Sequence, residues 1–186
     1  MRSLGVDSAV VRVRNLLRPL SNDGHARRFL RISVDDAPGI AVAAPLQAML
    51  IEADFARTAF PPRHPPAEPL PCTVSDLTAL LKPVTLPAER LLSLLVNTCT
   101  RDLAYDSPGG PWNPETARSV FERVLSTLGP RTLWWSNNDF SYAEEWTADG
   151  LPDAYASTTV TGYVLDRVLL GSGAGVLLTI LAFADD

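Results

Sequence analysis

Lysine is nearly absent: Lys82 stands alone beside fifteen arginines. Cysteine is also scarce. Cys72 and Cys99 are the only two, which excludes a disulfide scaffold and suits a reducing compartment. His25 and His64 make no close pairing with each other or with the cysteines, so the spacing that zinc sites use is missing, and no calcium-loop pattern occurs. No run approaches the ~20 apolar residues needed to cross a bilayer. The most apolar stretch, Val176–Phe183, has eight residues and contains Thr179. Met1–Gly5 lacks the apolar core of a signal peptide, so the expected location is cytoplasmic. No Gly-x-Ser-x-Gly elbow, no Gly-Lys-Ser/Thr phosphate loop and no internal repeat is present.

What is there describes an ordinary folded chain. Its 186 residues are 46% hydrophobic and 20% charged, with a formal charge of −5, a composition that can build a sizeable core and does not suit general disorder. Sixteen prolines imply many short elements. Six of them crowd the segment 61–71, an extended connector and the one candidate boundary, and we expect a single domain around it. Such a segment also has the character of a docking peptide for an aromatic groove. The arginine bias has two explanations, GC-rich coding or guanidinium forks reading carboxylate and phosphate. Charge is uneven: residues 1–31 carry a net +5 and residues 102–186 a net −8.

Periodicity gives five helices. Asp7–Leu20 aligns Val10, Val13, Leu16, Leu17 and Leu20, capped by Asp7 or Ser8 and limited by Pro19. Leu46–Phe60 repeats the pattern. A short helix over Ser75–Lys82 is capped by Ser75, and Pro87–Leu103 presents Leu91, Leu94, Leu95, Thr98 and Cys99. Asn113-Pro114-Glu115 is the clearest start signal, and Gly129-Pro130 ends that helix. Arg27–Val34 alternates as a strand, with Leu30, Ile32 and Val34 inward and Arg27 and Arg31 wet. Thr158–Leu170 and Val176–Ala184 read as a β-hairpin across a five-residue connection, Gly171–Gly175. The expected fold is therefore α+β: a mostly antiparallel sheet including this C-terminal hairpin, packed by four or five helices.

Few motifs point to chemistry. Gly171–Gly175 is followed by strand-like residues rather than a helix, so it reads as a hairpin tip and not a nucleotide loop. Cys99 lies on an apolar helical face, where burial explains it. The adjacent acids Asp35/Asp36, Glu144/Glu145 and Asp185/Asp186 point apart and make no catalytic dyad. No catalytic residue, cofactor site or metal site is assigned. The N-terminal arginines could contact phosphate, yet the chain's pI of about 5.0 and the lack of a recognition motif favour their pairing with the acidic C-terminal half.

The segment from Trp134 to Tyr155 stands apart. It holds three of the four tryptophans and no basic residue. One reading buries the rings and leaves the acids in water. The other is an exposed acidic-aromatic surface of Trp134, Trp135, Asp139, Phe140, Tyr142, Glu144, Glu145, Trp146 and Asp149, which would steer a basic protein partner and repel nucleic acid. The functional expectation is a non-enzymatic cytosolic binding module with no membrane contact, in the manner of a bacterial inhibitor or immunity protein. The alternatives are a small enzyme using Asp139 or Glu144 in a cleft around Trp134 and Trp146, and a structural subunit whose 158–184 hairpin lends its edge to a neighbour. No motif ties the chain to a known family closely enough to carry functional residues across.

Overall fold

The computed structural model of the chain describes residues 8–24, 26, 29–52, 69–147 and 151–184. Most of the proline connector 61–71 lies outside these residues, as do His25, Arg27, His64 and Asp149. The sheet grows from the longest apolar strands, β6 (Leu165–Gly173) and β7 (Val176–Ala184). β1 (Leu30–Asp36) pairs with β7, β3 (Leu133–Ser136) with β6, and the two-residue β2 (Lys82–Pro83) with β3. The order is β1-β7-β6-β3-β2, and every pairing is antiparallel.

Five α-helices occur among the described residues: α1 (Ala9–Asn22), α2 (Ala44–Ile51), α3 (Val74–Leu80), α4 (Ala88–Thr100) and α5 (Pro114–Leu128). The α+β architecture expected from periodicity is the one observed. The caps follow local chemistry. Ser8 accepts from the Val11 amide at 3.3 Å, and Asn113 from the Thr116 amide at 2.8 Å. α3 starts two residues earlier than Ser75 suggests, because Thr73 and Asp76 form a reciprocal capping box. α1 continues to Asn22 through Pro19, since a proline this late removes only the bond to the Asn15 carbonyl.

Both faces of the sheet are covered. Leu30, Val34, Leu169, Leu178 and Ile180 pack against α1, α4 and α5. Val168, Leu170, Leu181 and Phe183 pack against α2, α3 and the segment carrying Val160 and Tyr163. This explains why β7 is almost continuously apolar and why β6 is buried on both faces instead of alternating. It also corrects the wet face assigned to β1. Arg31 is 9% exposed, donates to the Leu30 carbonyl and lies 5.6 Å from the Phe183 ring centroid, so its stem and charge are held within the second layer.

The hairpin connection is two residues, not five. Ala174 and Gly175 take φ of 48° and 77°, a turn of the kind that matches strand twist. Gly171 and Gly173 belong to the ladder, and neighbours rather than flexibility demand them. A Cβ on Gly171 would meet the Trp134 ring at 2.6 Å, and one on Gly173 would meet the Leu128 carbonyl at 2.6 Å. The hairpin also sits at the centre of the sheet, with β1 on one side and β3 on the other. Among the described residues β7 is paired on both sides and β6 is paired with β3 over Leu169–Ser172, so little of the hairpin's edge is left to offer a neighbour.

Candidate functional site

After β3 the chain leaves the sheet through Asn137, and that departure builds the acidic-aromatic segment. Asn137 substitutes its side chain for the ladder: its Oδ1 accepts from the Val168 amide at 2.7 Å, and its Nδ2 donates to Asp166 Oδ1 at 2.7 Å and to the Thr158 carbonyl at 3.0 Å. Asp166, 5% exposed, gathers the far side of the exit. Its Oδ2 accepts from the Val160 and Thr161 amides and from the Thr159 and Thr161 hydroxyls, all at 2.7–2.9 Å. A buried carboxylate with this many donors is well compensated, and here it fixes both ends of the protruding loop to β6.

The loop itself runs from β4 (Asn138–Asp139) to β5 (Ala156–Ser157), which pair with each other. Asp139 caps a 3₁₀ turn at Phe140–Tyr142, accepting from the Ser141 amide at 3.0 Å. Phe140 is buried between Trp146 and Tyr155, with both ring centroids 6.0 Å away, and so staples the two limbs together. At the outer end the Asp153 carboxylate accepts from the Glu144 and Glu145 amides, both at 3.0 Å, and Trp146 bridges Pro152.

The nine residues singled out by composition divide into groups. Tyr142, Glu144 and Glu145 are exposed on the loop, Trp146 is half-buried beneath them, and Asp153 joins them. Phe140 is present but lies under the surface as the staple. Trp134 and Trp135 sit on successive strand positions and face opposite layers. Trp134, 6% exposed, belongs to the core with α4 and α5, while half-buried Trp135 packs on the α2 side. Both line an apolar groove of about 880 Å³ with Leu86, Leu91, Leu125 and Leu133, a feature separate in composition from the acidic loop. Asp149 is outside the described residues.

Charge at the loop is largely unneutralised. Among the described residues the ion pairs are Arg101–Asp106 at 3.0 Å and Arg118–Glu89 at 2.6 Å, and neither involves Glu144, Glu145 or Asp153. Arg90 does approach, stacked 5.6 Å from the Trp146 centroid. The expected pairing of N-terminal arginines with C-terminal acids is not seen for Arg12, Arg14 or Arg18. Arg14 instead donates to the Val34 carbonyl of β1 at 2.8 Å, protecting the sheet edge. Hydrogen bonds from Ser141 hold the Asp139 carboxyl below its ordinary value, with a smaller contribution from the charge of Lys82. That is opposite to the raised carboxyl an acid catalyst near neutral pH requires.

Composition missed Asp166 and Arg167, and a signal for them exists. An Asp-Arg pair inside the otherwise apolar run Val164–Leu170 implies buried charge with a purpose. Arg167 is 3% exposed, with its guanidinium carbon 5.9 Å from the Tyr155 centroid. Burial pushes its pKa below the ordinary value, an effect Tyr155 partly offsets, although a guanidinium stays charged at neutral pH. Cys99 is fully buried and its thiol is pushed well up, consistent with a packing role. Among the described residues no group of three or more His, Cys, Asp or Glu could hold a metal ion, and no helix is long and apolar enough to cross a membrane. No protein-family model, curated protein or solved structure matches the chain.

Proposed function

We propose that the chain is a binding module without catalytic chemistry of its own, which engages a basic protein partner through the loop between β4 and β5. The observation that carries this reading is the exposure of Tyr142, Glu144, Glu145 and Asp153 on one stapled loop, with none of the three acids in an ion pair among the described residues. Unpaired carboxylates around aromatic rings steer a cationic surface on approach, and a ring such as Tyr142 supplies contact area once docked. Phe140 and the Asp153 hydrogen bonds hold the loop in shape, which lowers the ordering cost of binding. A cytosolic inhibitor or immunity-type protein that covers a cationic site fits this arrangement. The analogy is one of charge and size.

The test is affinity capture from the native cell at low salt, followed by mass identification, with Glu144→Lys/Glu145→Lys run in parallel. The wild-type chain retains a basic protein that is released by salt, and the reversed variant does not. If both retain the same protein to the same extent, the loop is not the interface.

A further inference from the structure

Beneath the loop the sheet buries polar atoms that no hydrogen bond among the described residues satisfies. Arg167 donates from Nη1 to Thr98 Oγ1 at 3.2 Å and reaches Asn97 Oδ1 only at 3.5 Å, while its Nε has no acceptor. Among the described residues no carboxylate lies within 4 Å of it. Asn138 is 1% exposed, and neither its amide nitrogen nor its amide oxygen has a partner. The β3–β6 register brings the two residues together. Ser136 pairs with Leu169 and the Asn137 side chain bonds to Val168 and Asp166; continued one step further, that register sets Asn138 opposite Arg167. Strand alternation puts both side chains on the face covered by α4, with the Tyr155 ring above. Arg167 is compensated only in part, by Tyr155 and Thr98, and a buried charge with an open donor next to an unsatisfied buried amide is costly, a cost that is removed when a ligand supplies the missing partners.

We propose that Arg167 and Asn138 form a binding site for a small monocarboxylate that also carries a hydroxyl or amino group, roofed by Tyr155. The guanidinium fork, free at Nε, matches a carboxylate. Asn138 offers a donor for a carboxylate oxygen and an acceptor for the ligand's own O–H or N–H, and that second demand is what separates this class from simple anions. A phosphate dianion brings a second negative charge, and the exposed acids Glu144, Glu145 and Asp153 oppose multiply charged ligands. Tyr155, 37% exposed, is the part of the roof that reaches water and so marks the side from which a ligand would enter. The site does not depend on the basic-partner reading, since its residues lie under the loop and not on its tip.

The experiment titrates the full chain with sodium lactate, alanine, acetate, phosphate and chloride at constant ionic strength. The readouts are the melting temperature and the ¹H–¹⁵N resonances of the Arg167 Nε–H and the Asn138 side-chain amide. Lactate or alanine raises the melting temperature and shifts both resonances, acetate binds at least about tenfold more weakly, and phosphate and chloride have no effect beyond salt. Arg167→Met, which replaces an unpaired charge with an apolar side chain, abolishes the response. Asn138→Leu lowers lactate to the level of acetate. The proposal falls if neither lactate nor alanine shifts the resonances, if chloride or phosphate does so equally well, or if Arg167→Met still responds. Should Arg167→Met not fold, Asn138→Leu decides: discrimination between lactate and acetate that survives in it overturns the site.

Discussion

Removing the Asp166 carboxylate tests whether the loop is anchored as its hydrogen bonds imply. Asp166→Ala leaves two main-chain amides, Val160 and Thr161, and the Asn137 amide without their acceptor, while the Thr159 and Thr161 hydroxyls are free to rotate elsewhere. At about 1–3 kcal/mol for each buried donor left unsatisfied, with some relief from water entering the space, the loss of stability is about 4 kcal/mol. Asp166→Asn keeps the oxygen that faces four donors but sets one amide nitrogen against another at Asn137, for a loss of about 2 kcal/mol. Adding Asn137→Asp gives that nitrogen an acceptor again, although it turns a carboxylate toward the Thr158 carbonyl. The double variant therefore recovers only part of the loss, with a coupling of at least about 1 kcal/mol. Urea unfolding followed by tryptophan fluorescence supplies the energies, and hydrogen exchange at Val160 and Thr161 localises them. If Asp166→Ala costs less than about 1 kcal/mol, or if Asp166→Asn and Asp166→Ala are equal, the carboxylate is not the anchor.

The sheet, the thiols and the α3 cap give further checks. Gly171→Ala drives a methyl into the Trp134 ring and destabilises by about 1–3 kcal/mol in thermal unfolding, and a neutral result would show that the ring moves freely. Ala174→Asn converts a left-handed alanine into the Asn-Gly turn and adds about 0.5–1 kcal/mol, whereas a loss would contradict the turn geometry. In the native protein a thiol reagent labels exposed Cys72 at once and buried Cys99 only after unfolding, so rapid labelling of both would refute the packing of α4. The Asp76 carboxyl is held below its ordinary value by the Thr73 hydrogen bonds, so its contribution to stability is complete above the ordinary carboxylate range and is lost as pH falls through the depressed folded value. The stability difference between wild type and Asp76→Asn shrinks over that acid interval, and a difference independent of pH would remove the capping box from the account.

Most helix positions are legible because their determinants are local; the exception is the helix expected over Leu46–Phe60, which spans Ala44–Ile51 and ends at Glu52, with 53–60 outside the described residues. Asn113, Pro114 and Gly129 lie in or next to the helix they bound, and the stripe from Leu91 to Cys99 needs no knowledge of what it packs against. What escaped depends on partners distant in sequence. The glycines at 171 and 173 suggest a flexible tip until Trp134, Thr132 and Leu128, some forty residues earlier, are found pressing on them. Alternation alone sends Arg31 to water, because one face of an antiparallel strand is usually wet, and only the second layer around Phe183 reverses that. Composition groups Trp134 with Trp135, although their adjacency within a strand already sends them to opposite faces.

The same distinction separates the two parts of the acidic-aromatic segment. Its exposed tip is a matter of composition: glutamates at successive positions with no nearby base stay in water, and the sequence alone could name them. Its foundation is a matter of topology. Asn137 ends the β3 ladder by spending its side-chain amide on β6, and this interruption brings Asn138 beside Arg167 while Asp166, on the opposite face, takes hold of the returning chain. One break in strand pairing thus positions both the protruding loop and the unsatisfied pair beneath it. A substitution that restores regular pairing at Asn137 should alter the two together, and altering only one would separate them.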